Sequence, residues 1–250
     1  MKTEEQIYPY TVNDFSGRDA IVIAPHPDDE SIGCGGSILK HIKAGKRVRV
    51  IFLTNGDKGD FEGRFGEDYR EIRRKCAEKA LALLGVKDYE FWGYGDRMLH
   101  SAEKEIIERL SLSVKSFSPS IIYAPSPFEI HPDHKTAFSV VWELIHRMPL
   151  KLLLYETLVP FYPDILVDIT NEWSYKKRAI ESYWTEAYYT NYSEKIEGLN
   201  IFRTSPLSRD VLYAEAFLLV DGEGEMKKNT LQWKLLQTVV SFQSLYVLVK

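Results

Sequence analysis

Two short segments contain the residues whose types and spacing best suit chemistry. The first reads HPDDE at residues 26–30, and the second reads HPDH at residues 131–134. Three adjacent carboxylates repel one another, so the first segment needs a nearby positive charge that offsets the repulsion. Histidine and carboxylate side chains are ligands that a zinc ion prefers in proteins. Each segment therefore predicts part of a metal site.

A catalytic zinc site uses three protein ligands and keeps a further position for water. His26, Asp29 and His134 can supply these three ligands. Because neighbouring side chains of an extended segment diverge, we expect Asp28 and Asp29 to point in different directions. One of them can contact the metal while the other faces the water. This division suits hydrolysis, in which a metal lowers the pKa of water and a carboxylate takes its proton.

The second segment places His131 and His134 three residues apart. On the first turn of a helix, residues with this spacing share a face. One histidine can then bind metal while the other stands nearby as an electrophile or acid. Asp133, between them, can hydrogen-bond a histidine and fix its tautomer.

Simpler explanations exist for each segment taken alone. A His-Pro-Asp sequence often forms a turn with an Asx cap, and acidic residues at a helix start interact favourably with the helix dipole. Two such segments, each directly after a buried strand, favour the metal site. The glycines of GCGGS (33–37) lack the spacing of a nucleotide-binding loop, and no G-x-S-x-G pattern occurs. Close packing of a helix on a strand explains these glycines better.

The predicted fold brings the two segments together. AIVIA (20–24) and RVRVIFLT (47–54) are apolar, β-branched runs typical of buried strands, and the helical pattern between them completes a βαβ unit. SIIYAPS (120–126) is a further buried strand. Ligands of open α/β sheets bind at the carboxyl ends of strands, where His26 and His131 lie. We therefore predict a Rossmann-like α/β fold, with a mostly parallel sheet flanked by helices.

The rest of the pattern predicts one domain over 1–250, with a core at about 19–220 and a less regular C-terminal third. The residues up to Arg18 form a polar lead-in, 57–68 is a glycine-rich loop that can reach over the site, and 186–210 is polar and irregular. Helices are expected at 67–84, 103–117, 136–146 and 171–184, and later strands at 89–94, 152–157, 164–169 and 213–220.

Composition limits the class of protein. The chain has 250 residues, a formal net charge of -4 and 44% hydrophobic residues, as is typical of soluble globular proteins. The acidic balance argues against a nucleic-acid partner. Two cysteines without a CxxC pair indicate neither a disulfide scaffold nor a thiolate zinc site, and they fit a cytoplasmic location. We expect no signal peptide, and no apolar run approaches the ~20 residues that cross a bilayer.

The sequence resembles the zinc-dependent de-N-acetylases related to N-acetylglucosaminyl-phosphatidylinositol deacetylase, whose bacterial branch is called LmbE-like. The resemblance rests on HPDDE after a first strand and HPDH further along the chain. It extends to TNG at 54–56, ALALLGV at 80–86, the Asp96 that follows FWGYG, and AEAF at 214–217. It covers roughly residues 19 to 220.

The resemblance implies a role for each residue of the two segments. Asp28 would be the general base. His131, in its protonated form, would stabilise the oxyanion or protonate the leaving amine, and Asp133 would orient His131. The implied zinc ligands are His26, Asp29 and His134.

Two further residues match positions that contact the sugar in the family, namely Arg73 and Asp96. A solvated helix face explains Arg73 equally well, because other arginines lie close by in the same helical pattern. The sequence departs from the family at Cys76, where glutamate is usual. Glu78 is one candidate replacement, and the departure puts the contact of this helix with substrate in doubt.

Together these features predict a zinc-dependent hydrolase that removes an N-acetyl group from an N-acetylglucosamine-type amino sugar or glycoconjugate. Its partner is then this small molecule, without nucleic acid or a membrane span, and the resemblance also implies a homo-oligomer. One alternative is a non-catalytic sugar- or nucleotide-binding protein on the same scaffold. Another is an amidase that acts on a thiol-sugar conjugate. A two-metal phosphoesterase generally needs more carboxylates than the two segments provide.

Overall fold

The computed structural model describes residues 11–12, 14–148 and 150–220. Within them, eight strands form one sheet in the order β1-β7-β8-β6-β5-β2-β3-β4. The sheet is parallel except where β8 pairs with β6 and with β7. The strands are β1 (Thr11–Val12), β2 (Ala20–Ala24), β3 (Val48–Thr54), β4 (Asp88–Tyr94), β5 (Ile121–Pro125), β6 (Lys151–Tyr155), β7 (Ile165–Asp168) and β8 (Ala214–Val220).

Helices cover both faces of this sheet. Ala20, Val22 and Ala24 of β2 pack into one apolar core, while Ile21 and Ile23 pack into the other. Strands buried on both faces explain why the sequence of β2 is continuously apolar. The helices are α1 (Asp29–Lys43), α2 (Tyr69–Leu84), α3 (Glu103–Phe117), α4 (Pro132–Ile145), α5 (Trp173–Glu181), α6 (Trp184–Tyr189) and α7 (Tyr192–Phe202), with a 3₁₀ helix at Leu99–Ala102.

The predicted α/β class with a mostly parallel sheet is confirmed, and two local predictions are wrong. Strand β1 lies in the predicted lead-in and pairs with β7. The segment 186–210, predicted to be irregular, contains most of α6 and all of α7. The helical structure of this segment depends on tertiary packing, since Ile196 packs on Ile32 and Ile180. The single domain over 1–250 stays a prediction, and residues 221–250 lie outside the described part.

Among the described residues, no helix combines the length and the apolar character that a membrane crossing requires.

Helix α1 can pack closely on its neighbours because two of its positions are glycines, where any side chain would clash. A Cβ at Gly33 would lie 2.2 Å from the ring of Tyr155, and one at Gly36 would lie 2.5 Å from Ile169. The glycines therefore serve close packing of helix on strand, as predicted. Tyr155 in turn donates a hydrogen bond from its hydroxyl to the carbonyl oxygen of Ile23, at 2.8 Å.

A buried ion pair holds the second half of α1, which follows a non-helical residue, Cys34 (φ -145°, ψ 22°). The carboxylate of Glu215 on β8 accepts hydrogen bonds from the backbone N–H groups of Gly36 at 2.8 Å and Ser37 at 2.9 Å. It also accepts one from the ammonium group of Lys176 at 2.7 Å. Lys176 is 0% and Glu215 1% exposed.

We expect Lys176→Met to lower the free energy of unfolding by about 3–5 kcal/mol, because it leaves the buried carboxylate of Glu215 without a compensating charge. Urea unfolding at neutral pH measures the change. The control is Lys177→Met, which removes the next lysine and its more exposed pair with Glu197, and only a small change is expected there. Equal unfolding midpoints for the two variants would contradict the role of the buried pair.

Candidate metal and catalytic site

Three ligand atoms converge where β2 ends and α4 begins. Nδ1 of His26 lies 3.3 Å from Nε2 of His134 and 3.4 Å from Oδ2 of Asp29. Nε2 of His134 lies 3.2 Å from the same carboxylate oxygen. Ligands at ~2.0–2.2 Å from a tetrahedral zinc ion are about 3.3–3.6 Å from one another. The three atoms thus have nearly the spacing of three corners of a zinc tetrahedron.

Other groupings of the same residues are looser. The ligand atoms of His26, His131 and His134 lie within 4.8 Å of one another, and so do those of His26, Asp96, His131 and Asp133. His131 is a poor ligand in this conformation, because its Nδ1 accepts a hydrogen bond from a backbone N–H group. The tightest set is therefore the one that contains the carboxylate next to Asp28.

The second nitrogen of His26 is held by carboxylates. Nε2 lies 3.2 Å from Oδ2 of Asp133 and 3.5 Å from Oδ1 of Asp96. Burial lowers the pKa of His26, but hydrogen bonds to Asp133, Asp29 and Asp96 outweigh it and raise the pKa well above its ordinary value. The carboxylates thus favour positive charge here, and a proton kept on Nε2 leaves Nδ1 free to bind a cation.

Asp29 responds to the same surroundings in the opposite sense. Its burial raises the pKa, but the charge of His134 and hydrogen bonds from His134 and His26 hold the pKa of Asp29 well below its usual range. An ionised carboxylate and two imidazoles together form a ligand set that suits a divalent cation such as zinc.

Asp133 contacts a different histidine from the one implied by the resemblance. Its carboxylate faces His26 and accepts hydrogen bonds from the backbone N–H groups of Arg97 at 2.6 Å and Leu99 at 3.2 Å. The hydrogen bond between Asp133 and His131 comes from the backbone, where the N–H of Asp133 donates to Nδ1 at 3.3 Å. His131 is the N-cap of α4, and its Nδ1 is occupied by this backbone N–H.

The surroundings of His131 favour its neutral form, whereas the resemblance implies a protonated ring. Burial, together with the charges of His26 and His134, lowers the pKa of His131 to about 4. Because Nδ1 accepts the capping hydrogen bond, the single ring proton lies on Nε2. The ring is half-buried and its centroid lies 4.6 Å from that of His26. His131 can thus donate a hydrogen bond without being an imidazolium ion.

Asp28 is placed to accept a proton. Its side chain lines the same cavity as the three ligand candidates, and it forms no capping hydrogen bond to α1. Burial raises the pKa of Asp28 well above its usual value, although the guanidinium of Arg73, 3.6 Å away, acts against this. A raised pKa brings a carboxylate closer to the range in which it is an effective general base.

Arg73 lies inside the molecule and is 3% exposed, so it does not belong to a solvated helix face. Its guanidinium pairs with Glu186 of α6, donates to the carbonyl oxygen of Pro27 and faces Asp28. It also lines the cavity. Its contact with a sugar stays a prediction.

The carboxylate that forms an ion pair with Arg73 belongs to Glu186, in a helix that the sequence analysis did not predict. Cys76 is buried in the apolar core, and Glu78 pairs with Arg74 on the surface at 3.1 Å. Glu78 is therefore not the replacement for a glutamate at position 76. Glu186, which approaches from α6, supplies the negative charge instead.

Asp96 joins the metal candidates to the loop above them. Its Oδ2 accepts a hydrogen bond from the backbone N–H of Lys58 at 3.0 Å, and its Oδ1 faces His26. Burial raises the pKa of Asp96, but the hydrogen bond and charge of His26 outweigh it and lower the pKa to about 2. Asp96 also lines the cavity, and its contact with sugar hydroxyls stays a prediction.

Two residues that sequence reasoning missed support His134. Oγ1 of Thr157 lies 3.3 Å from its Nδ1, and the carboxylate of Glu129 lies 4.0 Å from it. Glu129 also accepts hydrogen bonds from backbone N–H groups at 157–159, which holds this loop in place. The contacts at Nδ1 direct Nε2 of His134 toward Asp29. Glu129 stands two residues before the second segment, and this was the only available signal.

The site opens into a cavity of about 220 Å³. This is smaller than the ~300–1,000 Å³ of pockets for drug-sized ligands, so it suits one ring-sized group. Besides the residues discussed above, its walls include Phe61, Arg97, Leu158, Tyr189 and Tyr192.

Two relatives of known sequence are named as deacetylases. A probable N-acetyl-alpha-D-glucosaminyl L-malate deacetylase 2 of Bacillus anthracis is 30% identical over 138 residues, which cover 53% of this chain and 61% of the relative. The chain thus spans less than two thirds of that relative. A diacetylchitobiose deacetylase of Thermococcus kodakarensis is 29% identical over 185 residues, which cover 66% of this chain and 69% of the relative.

A solved structure and a family match also relate this chain to deacetylases. The solved structure of N,N'-diacetylchitobiose deacetylase from Pyrococcus horikoshii superposes with a TM-score of 0.77 and 25% identity, covering 91% of this chain and 94% of that one. Residues 21–145, half of the chain, match the family described as PIG-L, GlcNAc-PI de-N-acetylase, and both histidine segments fall within this match. The chain belongs to the PIG-L family of GlcNAc-PI de-N-acetylases.

Proposed function

We propose that this chain is a zinc-dependent hydrolase that removes the acetyl group from an N-acetylglucosamine-type sugar or glycoconjugate. The observation that carries the proposal is the triangle of ligand atoms with edges of 3.2–3.4 Å. It lies in one cavity with a carboxylate of raised pKa and a neutral histidine donor. The sugar-deacetylase relatives support the substrate class.

His26, Asp29 and His134 would hold the zinc ion. When bound, the ion would supply Lewis-acid chemistry, activating a water molecule and polarising the acetyl carbonyl. Asp96 and Asp133 keep Nδ1 of His26 available for this purpose.

Asp28 and His131 would perform the proton chemistry. Asp28 takes a proton from the attacking water as the new C–O bond forms at the amide carbon. His131 donates its Nε2–H to the carbonyl oxygen, where negative charge develops. The proton held by Asp28 then passes to the amine nitrogen as the C–N bond breaks. The products are acetic acid and the free amine, and the acid then releases a proton to solvent to give acetate, so atoms and charge balance.

Zinc-loaded protein incubated with N-acetylglucosamine, N,N'-diacetylchitobiose and an N-acetylated thiol-sugar conjugate tests the proposal. Equal amounts of acetate and free amine from one of the first two are expected. Sugar binding without acetate release would instead identify a non-catalytic binding protein. Release from the thiol conjugate alone would identify an amidase of different specificity. The cytoplasmic location and the homo-oligomer stay predictions.

The mouth of the cavity offers a flat apolar surface for a second sugar ring. Phe61 is 69% exposed there, and its ring centroid lies 4.3 Å from that of Tyr189. The hydroxyl of Tyr189 donates to Asp60 at 2.7 Å, and Asp60 accepts backbone hydrogen bonds from Arg64 and Phe65. An exposed aromatic ring on a braced loop is well placed to stack on an apolar sugar face.

We expect Phe61→Ala to raise KM for N,N'-diacetylchitobiose about tenfold, the equivalent of about 1.4 kcal/mol. The KM for N-acetylglucosamine should stay unchanged, because the single ring occupies only the inner cavity. Steady-state kinetics on both substrates measure the difference. Phe202→Ala, which removes another exposed phenylalanine, is the control. An equal rise of KM for both substrates would exclude stacking of a second ring.

A further inference from the structure

Two buried charged side chains hold opposite ends of the peptide group between Pro27 and Asp28. Arg73 donates a hydrogen bond from Nη2 to its carbonyl oxygen. Oε2 of Glu30 accepts a hydrogen bond from its N–H, at 3.1 Å. In a trans peptide the C=O and N–H bonds point in opposite directions. The two side chains therefore restrain the orientation of this one peptide plane from both sides.

The restrained peptide leads into an unfavourable backbone conformation. Asp28 has φ 134° and ψ -29°, in the region of positive φ that residues with a side chain rarely adopt. Such a conformation is strained and persists only where its surroundings enforce it. The enforced conformation sets where the carboxylate of Asp28 points, and that carboxylate lines the cavity.

Each side of this restraint is itself anchored. Glu30 is 0% exposed, and its other oxygen accepts hydrogen bonds from the hydroxyl of Tyr183, at 2.6 Å, and from that of Ser31. Arg73 is fixed by its ion pair with Glu186. The mechanism described above gives Glu30 no chemical step, although it is a buried carboxylate two residues from the general base.

We propose that Glu30 is a positioning residue which, together with Arg73, clamps the Pro27–Asp28 peptide and so aims the carboxylate of Asp28 into the cavity. This inference rests on the proposed role of Asp28 as the general base. Glu30 would contact neither the metal nor the substrate. What matters is the reach of its acceptor oxygen to the N–H of Asp28 rather than its charge.

Two conservative variants separate reach from charge. Glu30→Gln keeps an oxygen at the same distance, and its amide NH₂ can donate to the hydroxyl oxygens of Tyr183 and Ser31. Glu30→Asp keeps the charge but is one methylene shorter, so its oxygen cannot reach the N–H of Asp28. We expect Glu30→Asp to lower kcat about 100-fold, the scale of a misplacement of roughly 1 Å. Its KM and zinc content should stay unchanged, and Glu30→Gln should retain nearly full kcat.

Crystal structures of both variants give a readout that does not depend on turnover. Asp28 should leave the region of positive φ in Glu30→Asp and stay there in Glu30→Gln. Full activity of Glu30→Asp, or a lower kcat for Glu30→Gln than for Glu30→Asp, would overturn the proposal. If the unaltered protein releases no acetate, the proposed function fails. In that case the crystal structure of Glu30→Asp still tests the clamp. An unchanged φ angle of Asp28 in that variant would refute the role of Glu30.

Discussion

Asp28→Asn is expected to lower kcat by about 10²–10⁴-fold while the zinc content stays at the wild-type level. The substitution preserves the size of the side chain and the backbone hydrogen bond to Glu30, so the local conformation should survive. It removes the group that accepts the proton from water. Asp28 lies outside the triangle of ligand atoms, so the metal should remain bound.

Acetate release under saturating substrate, combined with metal analysis of the same sample, measures both quantities. The control is Asp14→Asn, which replaces a carboxylate by an amide at an exposed aspartate. This variant should keep the kcat of the unaltered protein. An Asp28→Asn protein that keeps its full activity would exclude Asp28 as the base. One that loses its zinc would place Asp28 among the ligands.

His134→Ala is expected to lose zinc and activity together. His134 supplies one of the three ligand atoms. Groups that only support a ligand contribute about 10–100-fold to metal affinity. Removal of the ligand itself should therefore weaken zinc binding by more than about 100-fold. Thr157→Val, which removes the hydroxyl 3.3 Å from Nδ1 of His134, should fall in that smaller range.

Dialysis against a graded series of zinc buffers, followed by metal analysis, gives the affinities. His146→Ala is the matched control, because His146 is exposed and its Nδ1 faces only the carbonyl oxygen of Trp142, at 2.7 Å. Wild-type zinc binding by His134→Ala would show that the metal is held by another grouping, such as the one with His26, Asp96, His131 and Asp133. Activity of His134→Ala without zinc would exclude the metal from the reaction.

The central strands and the place of the site could be predicted from the sequence because both depend on local patterns. The β2, β3 and β5 strands are continuous apolar runs, and parallel strands buried on both faces require such runs. Each histidine segment begins within six residues of the end of one of these strands. The rule that ligands bind at the carboxyl ends was therefore enough to bring His26 near His134.

The orientation of individual side chains could not be predicted, because it depends on contacts between distant elements. The sequence places Asp133 between two histidines, but backbone N–H groups of Arg97 and Leu99, distant in the chain, hold its carboxylate where it faces His26. Glu186 approaches Arg73 from a helix of six residues in a segment with no clear pattern. The positive φ of Asp28 likewise depends on Glu30 and Arg73 acting together.

The part of the chain beyond the family match contributes to the surroundings of the site. The eight residues predicted to act all fall within 21–145, the part that matches the family. Several of the groups that brace them or line the cavity, among them Thr157, Tyr183, Glu186 and Tyr189, come instead from 150–220. We therefore expect substitutions at these four positions to alter the fit of the substrate while the eight predicted residues stay unchanged.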